Sequence, residues 1–107
     1  MKRYQKGAGG LAYAAGVIVR MLNMLRGRYY RLRDASPVLQ DEEQLQRADI
    51  IAALDYLAES GYIKIRLIAE RRAAEAAEAP LENLEIKLLP KGVRLAAGYE
   101  ADALVRP

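Results

Sequence analysis

The chain contains no cysteine and no histidine. Those absences exclude disulfides, thiolate nucleophiles, imidazole bases and every common zinc or haem ligand set apart from carboxylates. Redox, structural-zinc and triad chemistry are excluded with them. A cysteine-free chain suits a reducing compartment, so the cytoplasm is the expected location. Long apolar runs are also missing. The run Leu11–Val19 is closed by Arg20, whereas a bilayer span needs about 20 apolar residues. Lys2, Arg3 and Lys6 precede that run as they would in a signal peptide, but the helical spacing resumes beyond Arg20 and the segment reads as an ordinary first helix. No membrane association is expected. Carboxylates are plentiful, yet acid-base catalysis or metal binding needs several of them converging on one pocket, and here they are scattered over polar faces. No catalytic, cofactor or metal site is expected, and the protein does not read as an enzyme.

What is present is the composition of one globular domain: 107 residues, 52% hydrophobic and 29% charged. The net charge of +3 hides an uneven distribution. Residues 1–33 hold eight basic side chains and no acidic one, residues 34–62 hold seven acidic and only Arg47, and the rest is nearly balanced. Residues 1–10 end in Gly7, Ala8, Gly9 and Gly10 and read as a flexible basic tail. The domain is expected over 11–98, with 99–107 as a C-terminal tail.

Leu11 to Arg26 has helical spacing, stopped by Gly27. Leu11, Tyr13, Val17, Ile18, Met21, Leu22 and Leu25 wrap most of its circumference, more apolar surface than one small domain readily covers. They are expected to form a homodimer interface, the alternative being cover by the C-terminal tail. Tyr29 to Leu32 reads as a short edge strand, and Asp34 to Pro37 as a turn or helix start. Asp41, Glu42, Glu43 and Gln44 carry the signature of a helix N-terminus. Ile50, Leu54 and Leu57 repeat at helical spacing up to Gly61. The pattern leaves open whether 41–60 is one helix or two. If those three residues face the core, the opposite face presents Ala48, Ala52, Asp55, Tyr56 and Glu59.

After Gly61 the period changes from 3.6 to 2. Ile63, Ile65 and Leu67 point one way and Lys64 and Arg66 the other; a second alternation runs through Leu84, Ile86 and Leu88 with Glu85 and Lys87 opposite. The two segments predict an antiparallel pair with one face on the helices, in which Lys64 and Arg66 can pair with Glu85. Residues 69–80, rich in Ala, Glu and Arg, predict a mobile or partly helical excursion closed by Pro80, where Arg71 and Arg72 can pair with Glu75. Val93 to Ala97 predicts a short terminal helix.

Helix, short strand, one or two helices and then a hairpin is an α+β, mainly helical order. Leu54-Asp55-Tyr56-Leu57-Ala58-Glu59-Ser60-Gly61-Tyr62-Ile63 resembles the third helix and first wing strand of winged helix-turn-helix proteins, and Leu88-Leu89-Pro90-Lys91-Gly92-Val93-Arg94-Leu95 resembles their strand-to-helix exit, with Leu89 where Thr is usual. Over residues 11–98 the chain is similar to small winged-helix proteins of Mu-like prophages and bacterial mobile elements. That resemblance implies a winged helix with a two-stranded antiparallel wing, and a non-enzymatic transcriptional regulator that binds duplex DNA by its third helix and wing. On this chain Gln44, Gln46 and Arg47 would read bases at the helix start. Arg26, Arg28, Arg31 and Arg33, with Lys64, Arg66, Arg71 and Arg72 toward the wing, would grip phosphates. The carboxylates Asp55 and Glu59 on the third helix oppose that reading and suit the alternative, a protein-protein interaction or adaptor module without DNA binding.

Overall fold

A computed structural model describes residues 8–25 and 27–105. Four helices and three strands follow in the order α1 (Ala8–Asn23), β1 (Tyr30–Arg31), α2 (Leu32–Pro37), α3 (Arg47–Glu59), β2 (Ile63–Leu67), β3 (Leu84–Leu88) and α4 (Pro90–Ala96). The strands form one antiparallel sheet ordered β1-β3-β2. Ile63 pairs with Leu88, Ile65 with Ile86 and Leu67 with Leu84, so the apolar alternation of both strands falls on one side. That side meets Ile18, Leu22, Leu32, Ile50, Leu54 and Leu57 in a single core. The architecture is α+β, as the change of period after Gly61 predicts.

α1 takes in Gly9 and Gly10, which the sequence pattern assigns to a flexible tail. Gly10 is buried, and tertiary packing outweighs the helix penalty of about 1 kcal/mol per glycine. At the other end α1 stops at Asn23 rather than Arg26, which lies outside the described residues, and Gly27 reverses the chain in a left-handed conformation at φ 74°. The helix is covered by α3, α4 and β3. Val17, Ile18 and Leu22 are therefore core residues, at most 4% exposed, with no surface to give a second chain. Of the expected dimer surface, Leu11, Tyr13, Met21 and Leu25 remain half-buried, and the Tyr13 hydroxyl donates to Glu43 over 2.8 Å.

Asp41 and Glu42 do not open a helix. They lie in a turn of π-helix, Val38–Glu42, that extends α2 beyond Pro37 and closes with the Glu43 N–H on the Val38 carbonyl at 2.9 Å. Proline has no N–H for the regular ladder, which favours the wider turn. Residues 41–60 are thus split, and the break falls on neither glycine nor proline: Gln44 takes a left-handed conformation at φ 57°. Burial of Leu39 before the turn and Leu45 after it holds that residue in place.

Residues 68–80 are not helical. An isolated helix of that length is marginal in water, and the segment finds better partners along the edge of β2. Arg66 forms a bridge to Ala73, the Ala74 N–H donates to the Ile65 carbonyl at 3.0 Å, and the Leu67 N–H donates to the Arg72 carbonyl at 2.9 Å. Ala76 is buried below this return. The chain re-enters the sheet through a 3-10 turn, Leu81–Asn83.

α4 starts at Pro90 without a side-chain cap, so Leu89 in place of Thr does not prevent it. Gly92 explains the close approach of α4 to the start of β2: a Cβ there would stand 2.3 Å from the Tyr62 carbonyl oxygen and 2.7 Å from Leu88 Cδ1. That same carbonyl accepts the Leu89 N–H at 2.8 Å. Beyond α4 the chain folds back. Asp102 accepts the hydroxyls of Tyr56, at 2.6 Å, and Tyr62, at 2.8 Å, and the Leu104 N–H at 2.9 Å. Tyr56 is therefore turned toward the C-terminal segment rather than standing on the exposed face of α3.

Gly92→Ala is expected to cost about 1–3 kcal/mol by overpacking, whereas Gly98→Ala, where a Cβ meets open space, should cost only the left-handed penalty of about 1–2 kcal/mol; urea denaturation of both variants measures this. The Asp102 cluster makes stability depend on pH at both extremes. The hydrogen bond from Tyr56, with those from Leu104 and Tyr62, holds Asp102 below the usual carboxylate range, so its contribution is present above about pH 4 and is lost as pH falls through its lowered folded value. Burial, then the bond to Asp102, pushes Tyr62 up to about 12, so its contribution is present below about pH 10 and is lost as pH rises through the folded value. Asp102→Asn should lower stability at neutral pH by about 1–3 kcal/mol, remove the acid limb of the urea midpoint plotted against pH that Asp102 supplies, and only shrink the alkaline limb, whose first cause is the burial of Tyr62.

Candidate nucleic-acid interface

α3 is anchored by Ile50, Ala53, Leu54 and Leu57, each fully buried, so its opposite side must face outward. Its first turn begins after Gln46, whose extended backbone carries no side-chain cap. Gln44, Gln46 and Arg47 are all exposed there. Such an N-terminus carries positive partial charge and unpaired N–H groups, and two amides and a guanidinium beside it supply donors and acceptors. Further along, the exposed ridge is Ala48, Ala52, Asp55 and Glu59. The returning 68–80 segment flanks it, leaving an open cleft of about 340 Å³ lined by Ala48, Ile51, Ala52, Asp55, Glu75, Ala76 and Ala77. The start of α3 carries one cation, Arg47, with Asp49 in the same turn; its second half is small and acidic.

Of the remaining predicted cations, Arg31, Arg66 and Arg72 are held in ion pairs. Lys64 and Arg66 lie on the face of the sheet turned away from the core, in register with Lys87 and Glu85 respectively, and Arg31 stands opposite Glu85 from the other side. Arg66 is ion-paired with Glu85 and stacks on Tyr29 with its guanidinium carbon 3.7 Å from the ring centre. Arg31 pairs with Asp34 at 3.6 Å. Arg72 is held between Glu70 at 2.7 Å and Glu78 at 2.6 Å, not by Glu75, and these bonds, that to Glu78 first, raise its affinity for the proton. An arginine with two carboxylates has little charge left for phosphate. Arg33 is exposed and borders a cleft of about 260 Å³ with Leu67, Ile68, Ala69, Glu70 and Asn83. Arg28 and Arg71 are exposed, and Arg26 lies outside the described residues.

Two residues of the sheet face, Tyr29 and Lys87, are absent from the sequence-based set. Lys87 was legible: the alternation through Leu84, Ile86 and Leu88 puts it on the same side as Glu85, and antiparallel pairing brings it to Lys64. Tyr29 precedes β1, and no periodicity marks it. Among the described residues no group of three acidic side chains is placed to hold a metal ion, and no helix is long and apolar enough to cross a membrane. No model of a known protein family matches the sequence, and no curated protein or solved structure matches it either.

Proposed function

We propose that the chain is a cytoplasmic winged-helix module that binds duplex DNA through the start of α3, in the manner of a phage or mobile-element transcriptional regulator. The observation that carries this reading is the uncapped N-terminus of α3 with Gln44, Gln46 and Arg47 exposed around it. The order of elements and the β1-β3-β2 sheet support it, because a helix-turn-helix presents the beginning of its second helix to base edges. Gln and Arg are suited to adenine and guanine edges in the major groove. Of the residues expected at a homodimer interface, the half-buried Leu11, Tyr13, Met21 and Leu25 are those left to form one.

The acidic second half of α3 favours a different reading, in which Asp55 and Glu59 meet a basic protein. Duplex titration separates the two. DNA binding should weaken about 10²-fold or more between 50 and 200 mM salt through counterion release, whereas absence of binding at 50 mM salt would leave the protein partner. Arg47→Ala should weaken binding about tenfold, as expected for one lost base or phosphate contact. Glu59→Lys should strengthen binding with stability within about 0.5 kcal/mol of the parent, since the residue is exposed. Fluorescence anisotropy and thermal melts read these outcomes.

A further inference from the structure

The outer face of the sheet has a charge imbalance that the fold does not require. Across its three strands lie Arg31, Glu85 and Arg66 in one row and Lys87 and Lys64 in the next. The first row is internally neutralised, because Glu85 pairs with Arg66 and Arg31 with Asp34. The second is not: Lys64 and Lys87 are direct cross-strand partners, and like charges so placed are destabilising. The Tyr29 ring, 5.4 Å from the Lys87 ammonium, offsets part of that repulsion, but its nearer contact is Arg66. Lys64 is exposed and Lys87 half-exposed, so both ammonium groups can reach an anion in solvent.

We infer that this face is a second polyanion surface, and that its occupant is the phosphate backbone of a second DNA duplex. Protein-protein interfaces draw their energy from buried apolar and aromatic anchors and are depleted in lysine. Here the outward strand positions are Arg31, Lys64, Arg66, Glu85 and Lys87, and Tyr29 is already engaged by a guanidinium. Lysines without apolar anchors suit phosphate, bound as point charges without sequence preference. The inner side of the sheet packs on the helical layer that contains α3, so the lysines and the start of α3 sit on different sides of the chain. One molecule then bridges two duplexes. The bridging rests on the proposed role of α3, whereas the affinity of the sheet face does not.

Lys64→Glu tests the inference without threatening the fold, because it turns a repulsive cross-strand pair into an attractive one and should melt at or above the parent temperature. The assay is capture of a fluorescent duplex by protein held on a bead-bound duplex of random sequence. The parent should capture the second duplex. Lys64→Glu should still bind the bead duplex but lose the second at least fivefold, with the salt slope of total DNA binding shallower by about 1. Arg94→Glu, the same charge change at an exposed position on α4, should capture as the parent does. Undiminished capture by Lys64→Glu would overturn the inference and point to bridging by self-association; so would a parent that binds the first duplex but never the second while Lys64→Glu binds that first duplex as the parent does. Displacement of the second duplex by polyglutamate as readily as by competing DNA at equal charge would overturn it in favour of an acidic protein. Should the α3 reading alone be wrong, Arg47→Ala would bind DNA like the parent and Lys64→Glu would abolish binding.

Discussion

The ladder between β2 and β3 orients the rest of the molecule. Ile63, Ile65 and Leu67 face the core only while they stand opposite Leu88, Ile86 and Leu84, and a slip of one residue would turn one strand over, placing either Lys64 and Arg66 or Glu85 and Lys87 inside. Burying those charges would cost more than the domain's whole stability, so the register is strongly specified. It fixes the position of β1 on the far edge of β3 and, through the Leu89 N–H and the Tyr62 carbonyl, the entry of the chain into α4. Gly92 lies against that same carbonyl, which ties the helical layer to the sheet at a point where no side chain fits.

Charge is divided by the same geometry. Glu85, only 8% exposed, is tolerable because Arg66 pairs with it and Arg31 is its other cross-strand neighbour. The loop arginine Arg72 is likewise neutralised, by Glu70 and Glu78. Cations that look equivalent along the chain thus have different chemical fates. Arg47 at the start of α3 and the two lysines of the sheet keep charge to offer, whereas Arg66 and Arg72 spend theirs inside the molecule.

The change of period after Gly61 made both strands and their inward faces legible, and the spacing of Ile50, Leu54 and Leu57 gave the buried side of α3. Local pattern failed where long-range contacts decide the backbone. Gln44 adopts a left-handed conformation because Leu39 and Leu45 are buried on either side of it, which no turn residue announces. Residues 69–80 have helical propensity but pair with β2, since a free strand edge supplies partners that a short solvated helix lacks. Gly10 joins α1 because it is buried, although its neighbours resemble a linker. Composition identified the cations, but only the register separates Lys64 and Arg66 from Arg47. Tyr56 showed the same limit: its place on the helical wheel is exposed, and Asp102, 46 residues away in sequence, draws it aside.

The return of residues 72–74 along β2 has a consequence for how the molecule behaves when crowded. A bare strand edge is a template for another chain's backbone, and here one edge is occupied by the chain itself while the other, β1, is only two residues long. Sheet extension from molecule to molecule is thereby left little free backbone to start on. At high concentration such a protein is guarded against fibrous growth, and its associations are left to side chains, which can be tuned one residue at a time.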